Sequence, residues 1–120
     1  METLILVFEE PDMTLCDIAE GLAGADVSIG GGDERVVVVT RGASRVYVVQ
    51  VRDGAEEVFD DWPTDVIPRG TASVFSLDFR DGALVVDIVH ILARRRRCLV
   101  DTNYGHVISG IDLRPTHIAS

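Results

Sequence analysis

The period of the apolar pattern changes between residues 73 and 102, and this change constrains the fold more than any other feature. Phe75, Leu77 and Phe79 alternate with polar residues, which is typical of a β-strand with one buried face. The next stretch, DGALVVDIVHILARRRR, spaces its polar residues by three and four, which makes one stripe on a helix and no consistent face on a strand. The members of this stripe are Asp87, His90, Arg94 and Arg97. CLVDT then indicates another strand, so the segment predicts a β-α-β unit.

The start of the predicted helix carries a competing signal. Asp81 and Gly82 stand between two apolar runs, which is also a pattern of β-hairpins. The polar stripe favours a helix from Gly82 to about Arg96, with Asp81 as its N-cap. Four consecutive arginines, residues 94–97, then fall in its last turn. Cations there offset the negative end of the helix dipole by about 0.3 to 1 kcal/mol each, which is a sufficient structural reason for them.

A similar unit opens the chain. Thr3 to Phe8 is an apolar run that indicates a buried strand. Thr14 with Asp17 three residues later matches a capping box, and Gly24 ends the helical pattern that follows. Val27 to Ile29 then predicts a short strand.

Further β-prone runs fill the rest of the chain. Arg35 to Thr40 and Arg45 to Val51 predict an antiparallel hairpin, and HVISG predicts a strand after a turn at NYG. Two β-α-β units with antiparallel strands between them indicate the α+β class. The expected architecture is a two-layer α/β sandwich, a mostly antiparallel sheet backed by two helices, of ferredoxin-like or split-βαβ type. At 120 residues, we expect a single domain, 1–120.

Composition narrows the function classes. The chain carries 20 acidic and 11 basic residues, for a net charge of -9, whereas nucleic-acid sites need a wide basic field. We therefore expect no nucleic-acid binding. Every basic residue is arginine, which excludes a Schiff-base or P-loop lysine. No apolar run approaches the roughly 20 residues of a membrane span, and METLILVFEEPD lacks the basic start of a secretory signal. These features predict a cytoplasmic protein without membrane association.

The groups that could support catalysis or metal binding lack a recognisable pattern. Cys16 and Cys98 lie in apolar segments and are expected to be reduced core thiols. The glycines of SIGGGDER precede a strand and not a helix, so they predict a flexible loop and not a phosphate cradle. We expect no catalytic residue, metal or cofactor. One alternative is a metal site formed by Asp101, His106, Asp112 and His117. Another is a small enzyme that uses Asp101, His106 or Cys98.

The acidic segment, residues 53–68, loses regular periodicity and predicts a surface loop with one helical turn near Glu56 to Phe59. Its residues up to position 65 combine carboxylates with two aromatic rings, which suits a site for a basic protein surface. The alternative is a solvated loop whose Trp62 packs back onto the core. The candidate partner-binding residues are Asp53, Glu56, Glu57, Phe59, Asp60, Asp61, Trp62 and Asp65.

The segment SVFSLDFRDGALVVDIVHILARRRRCLVDTNYGHVISG resembles small acidic immunity proteins of bacterial polymorphic-toxin and contact-dependent growth-inhibition systems. The likeness lies in the FSLDFRD strand, the apolar helix and the LVDTNYG strand and turn, about a third of the chain. It implies a protein that binds and neutralises a cognate toxin domain, often a nuclease, without catalysis or cofactor. Such families diverge at the binding surface, so the resemblance assigns no contact residue.

Two functions follow as hypotheses. The first is an immunity protein whose acidic segment binds a basic toxin domain. The second is a ferredoxin-like regulatory domain that binds a small molecule, usually as a homodimer. Exposed strand edges leave the oligomeric state open.

Overall fold

The computed structural model describes residues 2–10, 12–33, 35–52, 55–68, 70, 72–102 and 106–118. Its strands form one sheet of seven, in which every neighbouring pair is antiparallel. The strands are β1 (Glu2–Phe8), β2 (Ser28–Asp33), β3 (Val36–Arg41), β4 (Ser44–Val51), β5 (Ser73–Phe79), β6 (Cys98–Asp101) and β7 (Val107–Ser109). They are ordered β2-β3-β4-β5-β1-β6-β7 across the sheet.

Three α-helices accompany the sheet: α1 (Leu15–Leu22), α2 (Gly82–Arg95) and α3 (Pro115–Ile118). Three 3-10 helices span Ala55–Asp61, Thr64–Val66 and Gly110–Asp112. The predicted class, α+β with an antiparallel sheet backed by helices, is confirmed. Among the described residues, none of the helices has both the length and the apolar character needed to cross a membrane.

Both long helices begin at the predicted caps. The Thr14 side chain accepts from the Asp17 amide, and the Asp17 carboxylate accepts from the Thr14 amide at 2.8 Å, which completes the capping box. Asp81 accepts from the Ala83 amide at 3.0 Å and caps α2. The helical interpretation of residues 82–96 is therefore correct, and the hairpin alternative is wrong.

The main core lies between the helices and one face of the sheet. Alternation along β1 places Leu4, Leu6 and Phe8 on this face, where they are almost fully buried. Phe8 meets Phe75 of β5 edge to face, with ring centroids 5.8 Å apart. The helices contribute apolar residues such as Ile18 to the same cluster. The predicted alternation of strand β5 thus sets which of its residues enter the core.

The second β-α-β unit, which consists of β5, α2 and β6, has a split arrangement. Helix α2 connects β5 to β6, and these two strands lie on opposite sides of β1. Both are antiparallel to β1, so they run in the same direction. In the first unit, β2 lies at the sheet edge and three strands separate it from β1.

Two sequence expectations need correction. SIGGGDER was expected to be a loop, but β2 runs through its glycines as an edge strand with an irregular register between Gly30 and Asp33. Only one side of an edge strand has to pair, so a glycine-rich sequence is tolerated there. The acidic segment is not a free loop either, because its described part, residues 55–68, packs on the second face of the sheet. The predicted turn at NYG, residues 103–105, lies outside the described residues.

Candidate protein-binding surface

Trp62 fixes the acidic segment to the sheet. Its side chain is only 5% exposed. The indole Nε1 donates to the Oδ2 of Asp101, at the end of β6, over 2.8 Å. Phe59 packs against the indole edge to face, with ring centroids 4.9 Å apart. The segment is therefore held by one buried hydrogen bond and by aromatic packing.

The local sequence explains why the segment lies this way. Ala55, Val58 and Phe59 of the first 3-10 helix lie on the side of the segment that faces the sheet, and so does Trp62 just after the helix. That side packs on a small apolar cluster centred on Val7 and other residues of the second sheet face. The cluster also contains Val74, Ile5, Val51, Val66, Ile67, Leu99 and Val107. The apolar residues that stand among the carboxylates follow no regular period, and their presence is the one sequence signal of packing against the sheet.

The carboxylates of the segment point the other way. Five of them are exposed: Glu56, Glu57, Asp60, Asp61 and Asp65. Among the described residues, no arginine lies within ion-pairing distance of any of the five. Asp53, the remaining predicted carboxylate, lies outside the described residues. The structure thus presents an acidic surface on an anchored segment.

The sequence left two predictions for Trp62, contact with a partner and packing onto the core. In the structure its ring packs onto the core. A ring that is 5% exposed and hydrogen-bonded inside the molecule cannot insert into a partner in this conformation. Phe59 is partly buried in the same cluster. The physical reason is that the second sheet face is apolar near Val7 and Val74. Packing the tryptophan ring on it removes apolar surface from water, which is favourable.

The four arginines do not form one basic patch. Arg96 pairs with Glu10, and both side chains are about half exposed. Arg97 lines a cleft of about 440 Å³ beside Glu9 and Asp65. Because carboxylates border these arginines, the arrangement differs from the continuous basic field that nucleic acids require.

The two cysteines have different environments. Cys98 is 1% exposed, and burial raises the pKa of its thiol to about 12, which leaves it protonated and unreactive at neutral pH. Cys16 is exposed, so the expectation of a core thiol is wrong for it. The buried face of α1 carries Ile18, Gly21 and Leu22, and position 16 falls on the opposite side of the helix.

The histidines and aspartates near the C-terminus take separate structural roles. Asp101 accepts from Trp62, and the Nδ1 of His117 accepts from the Arg114 amide at 2.9 Å. His90 of α2 lies 2.6 Å from the Leu113 carbonyl oxygen through its Nε2. Within the described ranges, no three His, Cys, Asp or Glu side chains are grouped so that they could hold a metal ion.

Comparison of the chain with protein-family models, with curated proteins and with solved structures found no match.

Proposed function

We propose that the protein is a non-catalytic inhibitor of the immunity type, which binds and neutralises a basic toxin domain in the bacterial cytoplasm. The observation that carries this proposal is the anchored acidic surface formed by the exposed carboxylates of residues 56–65. A nuclease domain, whose own substrate is a polyanion, is the kind of basic partner that such a surface fits.

The anchoring matters for affinity as well as for stability. A loop that is ordered only on binding loses conformational entropy at that step, which weakens the complex. Trp62 and its bond to Asp101 hold the segment in place before any partner arrives. The five exposed carboxylates then attract a basic surface at long range and raise the association rate. In this proposal Trp62 positions the surface and does not contact the partner.

The test is association with the polypeptide encoded immediately upstream of this chain. Both proteins are purified, and binding is measured by titration calorimetry at low and at high chloride concentration. We expect a one-to-one complex whose affinity falls at least tenfold between about 0.05 and 0.2 M salt, because charges at the interface are screened. Absence of a complex at both salt concentrations would remove the proposal.

Matched variants locate the interface. The test variant replaces the five exposed acids of the segment by their amides: Glu56→Gln, Glu57→Gln, Asp60→Asn, Asp61→Asn and Asp65→Asn. The control removes the same charge elsewhere on the surface, with Glu2→Gln, Asp12→Asn, Glu20→Gln, Asp26→Asn and Asp112→Asn. We expect the test variant to bind at least a hundredfold more weakly, and the control less than tenfold more weakly. Equal losses in both variants would place the interface elsewhere.

We also propose that strands β4, β5, β1 and β6 with helices α1 and α2 form a ferredoxin-like unit, to which β2, β3 and β7 are added. Support comes from the split arrangement, in which α2 links two strands that flank β1. The second candidate function, a small-molecule-binding regulatory domain, is favoured by one feature of this unit: an arginine-lined cleft at the start of β4.

A further inference from the structure

Arg45 and Arg80 lie opposite each other at the end of the sheet that is farther from the acidic segment. Strands β4 and β5 pair Val46 with Phe79, and the antiparallel register continued by one residue brings Arg45 opposite Arg80. Both side chains are exposed. Like charges directly opposite each other on neighbouring strands repel, and an anion bound between them would relieve that repulsion.

Two carboxylates lie near this pair: Asp81 lines the same cleft, and Asp78 lies opposite Tyr47 in the strand register. Both accept hydrogen bonds from groups other than the two arginines. The Oδ2 of Asp81 accepts from the Ser44 hydroxyl at 2.6 Å, and its Oδ1 accepts from the Ala83 amide. Asp78 accepts from the Thr3 hydroxyl at 2.5 Å. Among the described residues, neither Arg45 nor Arg80 has a hydrogen-bond or ion-pair partner. Both guanidinium groups therefore keep all their donors for a ligand.

The two arginines line a common cleft of about 520 Å³. Tyr47, two residues after Arg45 on the same face of β4, also lines it and adds a phenol group. Guanidinium groups bind planar or tetrahedral oxyanions through paired N–H donors, and a tyrosine hydroxyl adds one more donor. The volume accommodates a small phosphorylated molecule as well as a single phosphate ion.

We propose that Arg45, Arg80 and Tyr47 form a binding site for a phosphate group, either free phosphate or a small phosphate monoester. The site is independent of the proposed inhibitor function, because it uses none of the carboxylates of the acidic segment and lies at the opposite end of β4. A phosphate group carries about 1.5 to 2 negative charges at neutral pH and would offset most of the charge of the two guanidinium groups.

Titration calorimetry with inorganic phosphate, and in parallel with ribose 5-phosphate, tests the site in a chloride buffer of constant ionic strength. We expect one phosphate per chain and at least tenfold weaker binding in Arg45→Gln and Arg80→Gln. Arg94→Gln and Arg114→Gln, which remove the same charge from exposed arginines elsewhere, should bind like the unchanged protein. Tighter binding of the ester identifies the monoester as the ligand, and equal binding identifies phosphate itself.

Thermal unfolding with added inorganic phosphate gives a second readout of binding. At constant ionic strength, added phosphate should raise the melting temperature of the unchanged protein by more than that of Arg80→Gln. The reason is that the variant binds phosphate at least tenfold more weakly and therefore gains less stability from binding. No phosphate binding at millimolar concentration, or equal loss in Arg80→Gln and Arg94→Gln, overturns the proposal.

Discussion

Trp62 owes its position to both of its chemical properties, a large apolar ring and a single N–H donor. The ring covers the apolar patch around Val7 and Val74, and the donor reaches Asp101. Burying an indole N–H without an acceptor costs about 1 to 3 kcal/mol, so the placement of Asp101 decides whether the ring can be buried here. In the described part of the chain, no buried side-chain nitrogen or oxygen lacks a partner. The acidic surface thus depends on an interaction made beneath it.

We expect Trp62→Phe to lower the free energy of unfolding by about 1 to 3 kcal/mol, because it removes the donor to Asp101 and leaves a small cavity. Asp101→Ala, which removes the acceptor, should cost less in a Trp62→Phe background than in the unchanged protein, since the two residues are coupled. Urea unfolding followed by circular dichroism measures all four proteins. Additive costs would mean that the hydrogen bond contributes nothing to stability.

Cys98 predicts a loss of stability at alkaline pH. Burial raises the pKa of its thiol to about 12 from 9.0, so the folded protein holds this proton more tightly than the unfolded chain. The resulting stabilisation is fully present below about pH 9.0 and is lost as the pH rises towards about 12, by at most about 4 kcal/mol. Urea unfolding at pH 8 and pH 10.5 should show this loss, and Cys98→Ala should reduce it. The same slope in both proteins would argue against the raised pKa.

Thiol labelling provides an independent check on the cysteines. Under native conditions at pH 8, iodoacetamide should modify Cys16, which is exposed, and leave Cys98 unmodified. The Cys16→Ser variant should show no labelling until denaturant is added. Rapid native labelling of that variant would show that Cys98 is accessible.

At the level of elements, the ends of α2 show how a short sequence signal controls a long helix. The carboxylate of Asp81 caps α2 and also accepts from Ser44, which ties the helix to the hairpin between β3 and β4. At the other end, Arg94 and Arg95 lie in the last turn, where they offset the helix dipole. The Asp81 cap and the arginines of the last turn each act over a few residues, so both could be predicted from the sequence.

We expect Asp81→Ala to lower the free energy of unfolding by about 1 to 2 kcal/mol at pH 7, and Asp81→Asn to cost less because asparagine also caps helices. The hydrogen bond from Ser44 is the main cause of the lowered pKa of Asp81. Its stabilising contribution is therefore present above the ordinary value of 3.8 and is lost as the pH falls through the lower pKa of the folded state. Unfolding curves at pH 7, 4 and 2.5 should show this acid dependence in the unchanged protein and less of it in Asp81→Asn. An equal acid dependence in both proteins would contradict this assignment.

At the scale of the whole molecule, negative charge opposes folding. The net charge is -9, and two ion pairs, Arg41 with Asp87 and Arg96 with Glu10, join exposed side chains in the described part. Exposed pairs of this kind contribute about 0 to 1 kcal/mol each. Repulsion among the excess carboxylates is spread over the surface and is screened by salt, so screening should help the folded state more than it weakens the pairs.

We therefore expect the melting temperature to rise when sodium chloride is increased from 10 to 150 mM, as the screening length falls from about 30 to about 8 Å. The variant with five amides in the acidic segment should melt at a higher temperature in 10 mM salt and respond less to added salt. Differential scanning calorimetry in a phosphate-free buffer measures both effects. A melting temperature that falls with salt would show that attractive pairs outweigh the repulsion.

The sequence by itself determined the local elements of this protein. The period-2 pattern of β5, the polar stripe of α2 and the caps at Thr14 and Asp81 depend on neighbours within a few residues, and each was predictable. The tertiary structure decided the order of the strands, the pairing of the glycine-rich β2 at the edge, and the burial of Trp62. It also brought together residues far apart in sequence, Trp62 with Asp101 and Arg45 with Arg80. Local periodicity fixes which face of an element is apolar, but it carries no information about which distant element will cover that face.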